Sequence, residues 1–363
     1  MLLTLCNPAE LADLLPRALR GEQVLAPLGP KPEPELAMLQ PRLPVEQDDA
    51  AVVVSTSGST GTPKGVVLSR TALLAAAQST QQVLGRCTWT CVLPTHYVAG
   101  LMVLVRAHVD GTTVRHAGRD LSDLEPADGP NAISLVPTQL FRALADPRLV
   151  ETLRHYTILL GGAAVDPQVL EQARGLGLDL RTTYGMSETC GGCVWDGVAL
   201  PGVGVDLGQD QRIKLSGPMA FSGYRLAPEL TAGALRVEGD RRTVLTQDRG
   251  ELTDGRLSVL GRLDDVVVSG GVNVDLAQVQ CAVDALAPGT SAVLALPDTE
   301  WGSLVALATT TGHGLAWWRE ALAADLGRAA LPRHVAQLDV LPRTSSGKID
   351  RQALARRLAA GRQ

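Results

Sequence analysis

Between residues 50 and 186, runs of apolar residues alternate with segments of helical period. "AAVVVS" (50–55) is apolar on both faces, as a buried strand requires, and "RTALLAAAQSTQQVLG" (70–85) repeats its apolar positions as a helix does. The alternation continues with a strand in "TWTCVLP", a buried helix in "AGLMVLVRAHVDG" running towards "TTVRHA", a strand in "NAISLVP", a helix in "TQLFRALADP" and a strand in "YTILLGG". In "DPQVLEQARGLG", Asp166 stands where a helix is capped and Pro167 in the first turn, where a missing N–H does no harm. "LDLRTTYG" returns to a strand. Strands that are mostly continuous apolar runs, separated by helices, predict a largely parallel sheet covered on both faces.

The flanks have other textures. The N-terminus reads as a short strand and a helix, but up to about residue 50 the chain is Pro-rich and short of regular pattern, as in "LGPKPEPELAMLQPRLP". After about 194, "RIKLSG", "GALRVEG", "TVLTQDRGEL" and "GRLSVLG" predict a smaller antiparallel β region. From about 265 come two βα-like units and the Gly-rich "VVSGGVNVD". The fold class expected is α/β: a large N-terminal domain over 1–261, of mostly parallel βα layers plus the small β region, then a small α+β domain.

Composition narrows the function classes. With 363 residues, 45% hydrophobic and 20% charged, the chain can bury a sizeable core. A net charge of −5 gives no general attraction to nucleic acid or to an anionic membrane, and 3% aromatics leave little for base stacking. The apolar start lacks a basic leading segment and is broken by Pro8, Glu10 and Asp13, unlike a signal peptide. No stretch reaches the about 18 apolar residues of a membrane span; a soluble cytoplasmic protein without membrane insertion is expected. Cys190 and Cys193 form a C-x-x-C, and Cys87 and Cys91 a C-x3-C, a layout that could be drawn as a zinc site. "CGGC" sits in a Gly-rich turn without a second C-x-x-C, which favours cysteines of the core.

Only four of the 33 basic residues are lysines, at 31, 64, 214 and 348, and two of them fall in the Gly-containing loops "TPKG" and "SSGKID". A lysine is a compact charge suited to reaching one phosphate or carboxylate oxygen. The first loop belongs to "STSGSTGTPKG" (55–65), expected between a buried strand and a helix. Gly58 and Gly61 let N–H groups converge on anionic oxygens, Ser57, Ser59, Thr60 and Thr62 are hydroxyl-bearing, and Lys64 supplies charge. It is not the G-x-x-x-x-G-K-[ST] loop: five residues on from Gly58, where the second Gly belongs, stands Pro63, and Gly65 follows Lys64. The hydroxyl that would hold Mg2+ after the lysine is missing, so kinase and GTPase readings lose ground. "GVGVDLG" misses the dinucleotide fingerprint by one residue. "TTYGMSETCGG" then offers Glu188, in a Gly-flanked turn, as a carboxylate suited to Mg2+. Asp248 in "TQD" and Arg262 in "GRLDD" could each bond a ribose hydroxyl, and Lys348 lies on a loop just before a helix.

In this order and spacing "TSGSTGTPKG", "YGMSE", "TQDRGEL", "GRLDDVVVSGG" and "PRTSSGKIDR" resemble the motif set of the acyl-adenylate-forming superfamily, the acyl-CoA synthetases and adenylation domains; the likeness runs over about 50–355. Within it "LPTHYVAGL", "SLVPTQL", "LLGGAAVD" and "YGMSETCGGCVWDG" are most similar to the o-succinylbenzoate–CoA ligase family of menaquinone synthesis. The resemblance implies an AMP-forming acid–thiol ligase using ATP, Mg2+ and coenzyme A, with o-succinylbenzoate as the acid. Lys64 would reach the β- or γ-phosphate within the loop from Ser57 to Gly65, Ser187 the α-phosphate, and Glu188 the metal. Gly161, Gly162 and Ala163 would lie against adenine, with Tyr184 and Gly185 on the other side, and Asp248 and Arg262 at the ribose. Lys348 would bridge the attacking carboxylate and the leaving oxygen. Residues 262–265 would be a hinge pivoting at Asp264, letting a mobile small domain (266–363) present Gly270 and Gly271 beside the coenzyme A channel.

Two departures stand out against the family pattern. Only about 55 residues precede the phosphate loop, which suggests a pared-down N-terminal subdomain and a homodimer covering what it exposes. The family's aromatic-then-His pair is reversed to His96 then Tyr97. His96, Tyr97, Gly100, Arg106, Thr138 and Gln139, with Arg142, are the acyl-pocket candidates, because the aromatic carboxylate of the acid needs a cation or several donors. Another aryl or short-chain acyl-CoA synthetase, a stand-alone enzyme loading a carrier protein, and a non-catalytic nucleotide-binding relative remain the alternatives.

Overall fold

The apolar run at 50–55 extends into the strand Ala50–Ser57, in which Val52, Val53 and Val54 are fully buried. A second strand, Pro63–Ser69, returns antiparallel to it and buries Val66, Val67 and Leu68. The sequence predicts a loop over 55–65 and assigns no strand between it and the helix at 70. The "GVVL" run is instead long enough to close a hairpin and stay apolar on both faces, and only then does the helix Arg70–Leu84 begin, capped by the Ser69 hydroxyl. A computed structural model describes residues 1–30, 32–57, 63–343 and 349–360 of the chain.

The described chain is mixed α/β and divides into two compact units. One comprises Met1–Gly208, Ile213–Thr246 and Leu252–Ser258; the other Gln209–Arg212, Gln247–Glu251 and Val259–Gln363. In the larger unit one sheet has the order Leu3–Cys6, Val24–Pro27, Ala50–Ser57, Pro63–Ser69, Gly223–Tyr224, parallel over its first three strands and antiparallel over the rest. A second sheet runs Val198–Ala199, Gly191–Trp195, Asp179–Met186, Tyr156–Leu160, Asn131–Leu135, Thr88–Cys91, Arg115–His116, parallel from Asp179–Met186 onward, as the apolar strands required. The helix Val98–Asp110 is buried along most of its length. A third, antiparallel sheet contains Gly204–Leu207, Arg212–Ser216, Arg241–Thr253 and Leu235–Glu238.

The first fifty residues are more regular than their prolines suggest. Leu3–Cys6 and Val24–Pro27 pair in parallel across the helix Pro8–Leu19, and the Pro-rich stretch itself forms the helix Glu33–Leu39. Asn7 explains the first helix: its side chain accepts from the N–H groups of Ala9 and Glu10, while the Glu10 carboxylate accepts from Asn7 N–H. Leu11, Leu15, Ala18 and Leu19 then bury one face.

The second unit has a sheet of order Val272–Asp275, Val266–Ser269, Gly302–Thr309, Ser291–Asp298, with His334–Gln337 parallel to Gly302–Thr309. Asp275 caps the helix Leu276–Leu286, and the helices Leu315–Ala321 and Arg351–Ala360 complete the unit. Among the described residues no helix is long and apolar enough to cross a membrane.

One side chain ties distant parts of the larger unit together. Arg225, 4% exposed, donates to the carbonyls of Leu39, Gln40, Leu43 and Pro44, holding the segment after the helix Glu33–Leu39 against the strand pair. Arg225→Met strands these acceptors and is expected to lower stability by about 2–4 kcal/mol. The midpoint of denaturant unfolding would show it; an unchanged midpoint would contradict this role.

Candidate active site

The strand Pro63–Ser69 has a neighbour on each side. Lys64 stands opposite Thr56 in the hairpin, and on the other side Val66 and Val67 pair with Tyr224 and Gly223. Arg225 N–H donates to the Gly65 carbonyl at 2.7 Å, Ser222 N–H to that of Val67, and Phe221 N–H to that of Glu188. The segment 221–225 therefore bridges the hairpin and the turn carrying Glu188. Gly65 is required here: a Cβ would lie 2.8 Å from Met38 Sδ and 2.9 Å from Arg225 Cβ.

Three side chains meet where these elements meet. The Tyr224 hydroxyl donates to Glu188 Oε1 at 2.6 Å, and the Lys64 ammonium lies over the Tyr224 ring, 5.3 Å from its centroid. Burial, and after it the Glu188 carboxylate, pushes the Tyr224 phenol upward, so it stays a donor at neutral pH. Of the phosphate loop, Gly58, Ser59, Thr60, Gly61 and Thr62 lie outside the described residues, as does Lys348, and only the backbone of Ser57 is described.

Glu188 belongs to the short 3-10 turn Ser187–Thr189. Thr189, fully buried, fixes that turn: its hydroxyl accepts from Met186 N–H and donates to the Gly191 carbonyl at 2.8 Å. Left-handed φ at Cys190 and Gly191 then reverses the chain into the strand Gly191–Trp195. Among the described residues no three His, Cys, Asp or Glu side chains cluster into a metal cage. Mg2+ needs no such cage; it is commonly held by one or two carboxylates together with phosphate oxygens and water. Glu188 fits that requirement, since Oε2 has no hydrogen-bond donor among the described residues.

Gly161, Gly162 and Ala163 follow the strand Tyr156–Leu160, which neighbours Asp179–Met186, the strand bearing Tyr184 and Gly185. Small residues are imposed by packing. A Cβ on Gly161 would lie 2.4 Å from Thr183 Oγ1, and one on Gly185 would lie 2.0 Å from the Gly191 carbonyl oxygen. Gly162 is exposed and has φ +88.

The acyl-pocket candidates fall into distinct settings. His96 is buried against the ring of Tyr97, with centroids 4.2 Å apart, and its Nδ1 has no hydrogen-bond partner among the described residues. Burial first, and then the charge of Arg119, lowers its pKa, so the neutral imidazole is favoured at pH 7. Gly100 lets the helix Val98–Asp110 start against Pro94, whose carbonyl oxygen would lie 2.4 Å from an added Cβ. Arg106 is buried in that helix, donates to Thr80 Oγ1 at 3.2 Å and lies over the Trp89 ring. Burial lowers its pKa to about 10, which leaves it charged. Gln139 bonds the backbone at both ends, accepting from Val136 N–H and donating to the Arg119 carbonyl. Thr138 is half-buried and Arg142 exposed.

In the second unit Arg262 donates twice to Asp264, at 2.7 and 2.9 Å, and lies 3.5 Å from Asp248. The hydrogen bond to Asp264 is the main reason its pKa is raised. Burial works against the Asp264 carboxylate, but the bonds and charge of Arg262 prevail and its pKa is lowered. Gly270 and Gly271 have φ of +57 and +79, and a Cβ on Gly270 would strike the Trp301 ring at 2.4 Å.

Cys190 and Cys193 are buried core residues, and burial pushes the Cys193 thiol up to about 12. Sequence reading missed Tyr224, Thr189 and Arg225. Only Tyr224 carries a signal, as one of four tyrosines in a chain poor in aromatics.

Gly185→Ala tests the close strand pairing beside the Glu188 turn. It is expected to weaken ATP binding by about tenfold or more, a loss of 1.4 kcal/mol or above. Equilibrium nucleotide binding checks this, and wild-type affinity would contradict it.

Known proteins share this fold. Residues 10–224 match the family model described as "AMP-binding enzyme". The chain is 37% identical over 334 residues to a probable 2-succinylbenzoate–CoA ligase of Mycobacterium tuberculosis, covering 86% of this chain and 85% of that protein. It is 28% identical over 339 residues to the 2-succinylbenzoate–CoA ligase of Staphylococcus aureus, covering 85% and 67%. Its fold is similar to that of the O-succinylbenzoate coenzyme A synthetase of Bacillus subtilis in complex with ATP and magnesium ion, with a TM-score of 0.79 at 22% identity over 98% of this chain and 88% of that one. The chain belongs to the family of AMP-binding enzymes.

Proposed function

We propose that the chain is an AMP-forming 2-succinylbenzoate–CoA ligase. The observation that carries the reading is the 37% identity to a protein of that name over most of both chains, joined to a lysine and a carboxylate that meet at the Tyr224 side chain. An oxygen of the succinyl carboxylate attacks the α-phosphorus of ATP, the bond to pyrophosphate breaks, and an acyl-adenylate forms. The thiol of coenzyme A then adds to the acyl carbon, and the carbon–oxygen bond breaks to release AMP.

The first step joins two anions, so positioning and charge neutralisation dominate. Lys64 takes a phosphate of the leaving pyrophosphate, and the Ser187 hydroxyl bonds the α-phosphate. Glu188 would hold Mg2+, which when bound with ATP withdraws charge from the phosphate oxygens. Gly161 to Ala163 and Tyr184 enclose adenine, Asp248 and Arg262 take the ribose, and Lys348 bridges the attacking carboxylate and the leaving oxygen. His96, neutral, donates or accepts a hydrogen bond in the acyl pocket, while Arg106 is the buried cation nearest in kind to what an aromatic carboxylate needs. Asp264 serves as the hinge after which Gly270 and Gly271 reach the coenzyme A channel. We place the enzyme in the cytoplasm, which supplies ATP and coenzyme A.

The test is stepwise. Pyrophosphate release should require 2-succinylbenzoate, and AMP release should then require coenzyme A. Lys348→Ala should slow adenylation by about a hundredfold or more while leaving thioester formation from supplied acyl-adenylate within a few-fold of wild type. Release with benzoate or a fatty acid but not with 2-succinylbenzoate would overturn the substrate; equal loss of both steps would overturn the role of Lys348.

A further inference from the structure

Tyr224 stands between two side chains of opposite charge. Its hydroxyl holds Glu188 Oε1 at 2.6 Å, and its ring carries the Lys64 ammonium at 5.3 Å. No Lys64–Glu188 ion pair forms among the described residues. The ring is itself fixed. It packs edge-on against Phe221 with centroids 5.0 Å apart, and its backbone N–H donates to Thr231 Oγ1 at 2.8 Å. Antiparallel pairing with Val66 sets its height along the strand that bears Lys64.

A flexible lysine and a nearby carboxylate left to themselves attract one another and neutralise the two charges a metal–triphosphate requires separately. We propose that Tyr224 is a positioning residue for nucleotide binding: it keeps Lys64 and Glu188 apart, pins one carboxylate oxygen, and leaves Oε2 available to Mg2+. This rests on the adenylate-forming reading and adds to it a residue outside the five motifs. The ring supplies the spacing and the cation–π surface, and the hydroxyl supplies the pin, so the two contributions separate by substitution.

The experiment is equilibrium ATP binding by calorimetry at graded Mg2+ for the wild type, Tyr224→Phe, Glu188→Gln and the double variant. Tyr224→Phe keeps the ring on Phe221 and beneath Lys64, and a melting curve reports that the fold persists. It should raise the Mg2+ concentration for half-maximal ATP binding by about tenfold, the scale of one charge-assisted hydrogen bond. In the Glu188→Gln background the same substitution should add little, because the carboxylate it pins is gone. Wild-type Mg2+ dependence in Tyr224→Phe, or additive effects of the two substitutions, would overturn the proposal. A wild-type protein that fails to bind ATP with Mg2+ would instead overturn the underlying reading, so the two failures are distinguishable.

Discussion

The pairing of Val66 with Tyr224 is the constraint on which the site depends. It fixes a short strand from late in the larger unit against the strand Pro63–Ser69. Through Phe221 N–H it also ties the same segment to the carbonyl of Glu188. Lys64 and Glu188 lie far apart in sequence, yet their relative position follows from three backbone hydrogen bonds in five consecutive residues. A slip of one residue would turn the Tyr224 ring to the opposite face of the sheet and remove the contact with both.

Glycine and threonine do comparable work where the parallel sheet meets the turn. Gly185 lies so close to the Gly191 carbonyl that position 185 has no room for a side chain, and the buried Thr189 hydroxyl closes the turn in which Glu188 is presented. In the second unit Arg262 is shared by Asp248 and Asp264, so a residue expected at the ribose and one expected at the hinge compete for a single guanidinium.

Much of this was legible in the sequence. The parallel strands at 88–91, 131–135 and 156–160 announced themselves as continuous apolar runs, and the Asp166–Pro167 cap marked its helix correctly. The chemistry was legible because few side chains can neutralise a triphosphate, and a chain with four lysines shows where it keeps them. What escaped depends on long-range pairing. The strand Pro63–Ser69 was missed because its strand character is visible only beside Ala50–Ser57, and Tyr224 drew no reading because its register with Val66 is not written locally. The N-terminal prolines suggested irregularity, while the Asn7–Glu10 capping pair and parallel strand pairing settled the region otherwise.

Attack of a carboxylate on the α-phosphorus is the central claim, and oxygen labelling tests it most directly. With the acid labelled with 18O in its carboxylates, the oxygen that attacks phosphorus stays there when the thiol displaces AMP. Mass spectrometry of the nucleotide product should therefore find one 18O in AMP for each thioester formed. Label in orthophosphate with ADP as the product, or unlabelled AMP, would contradict the account.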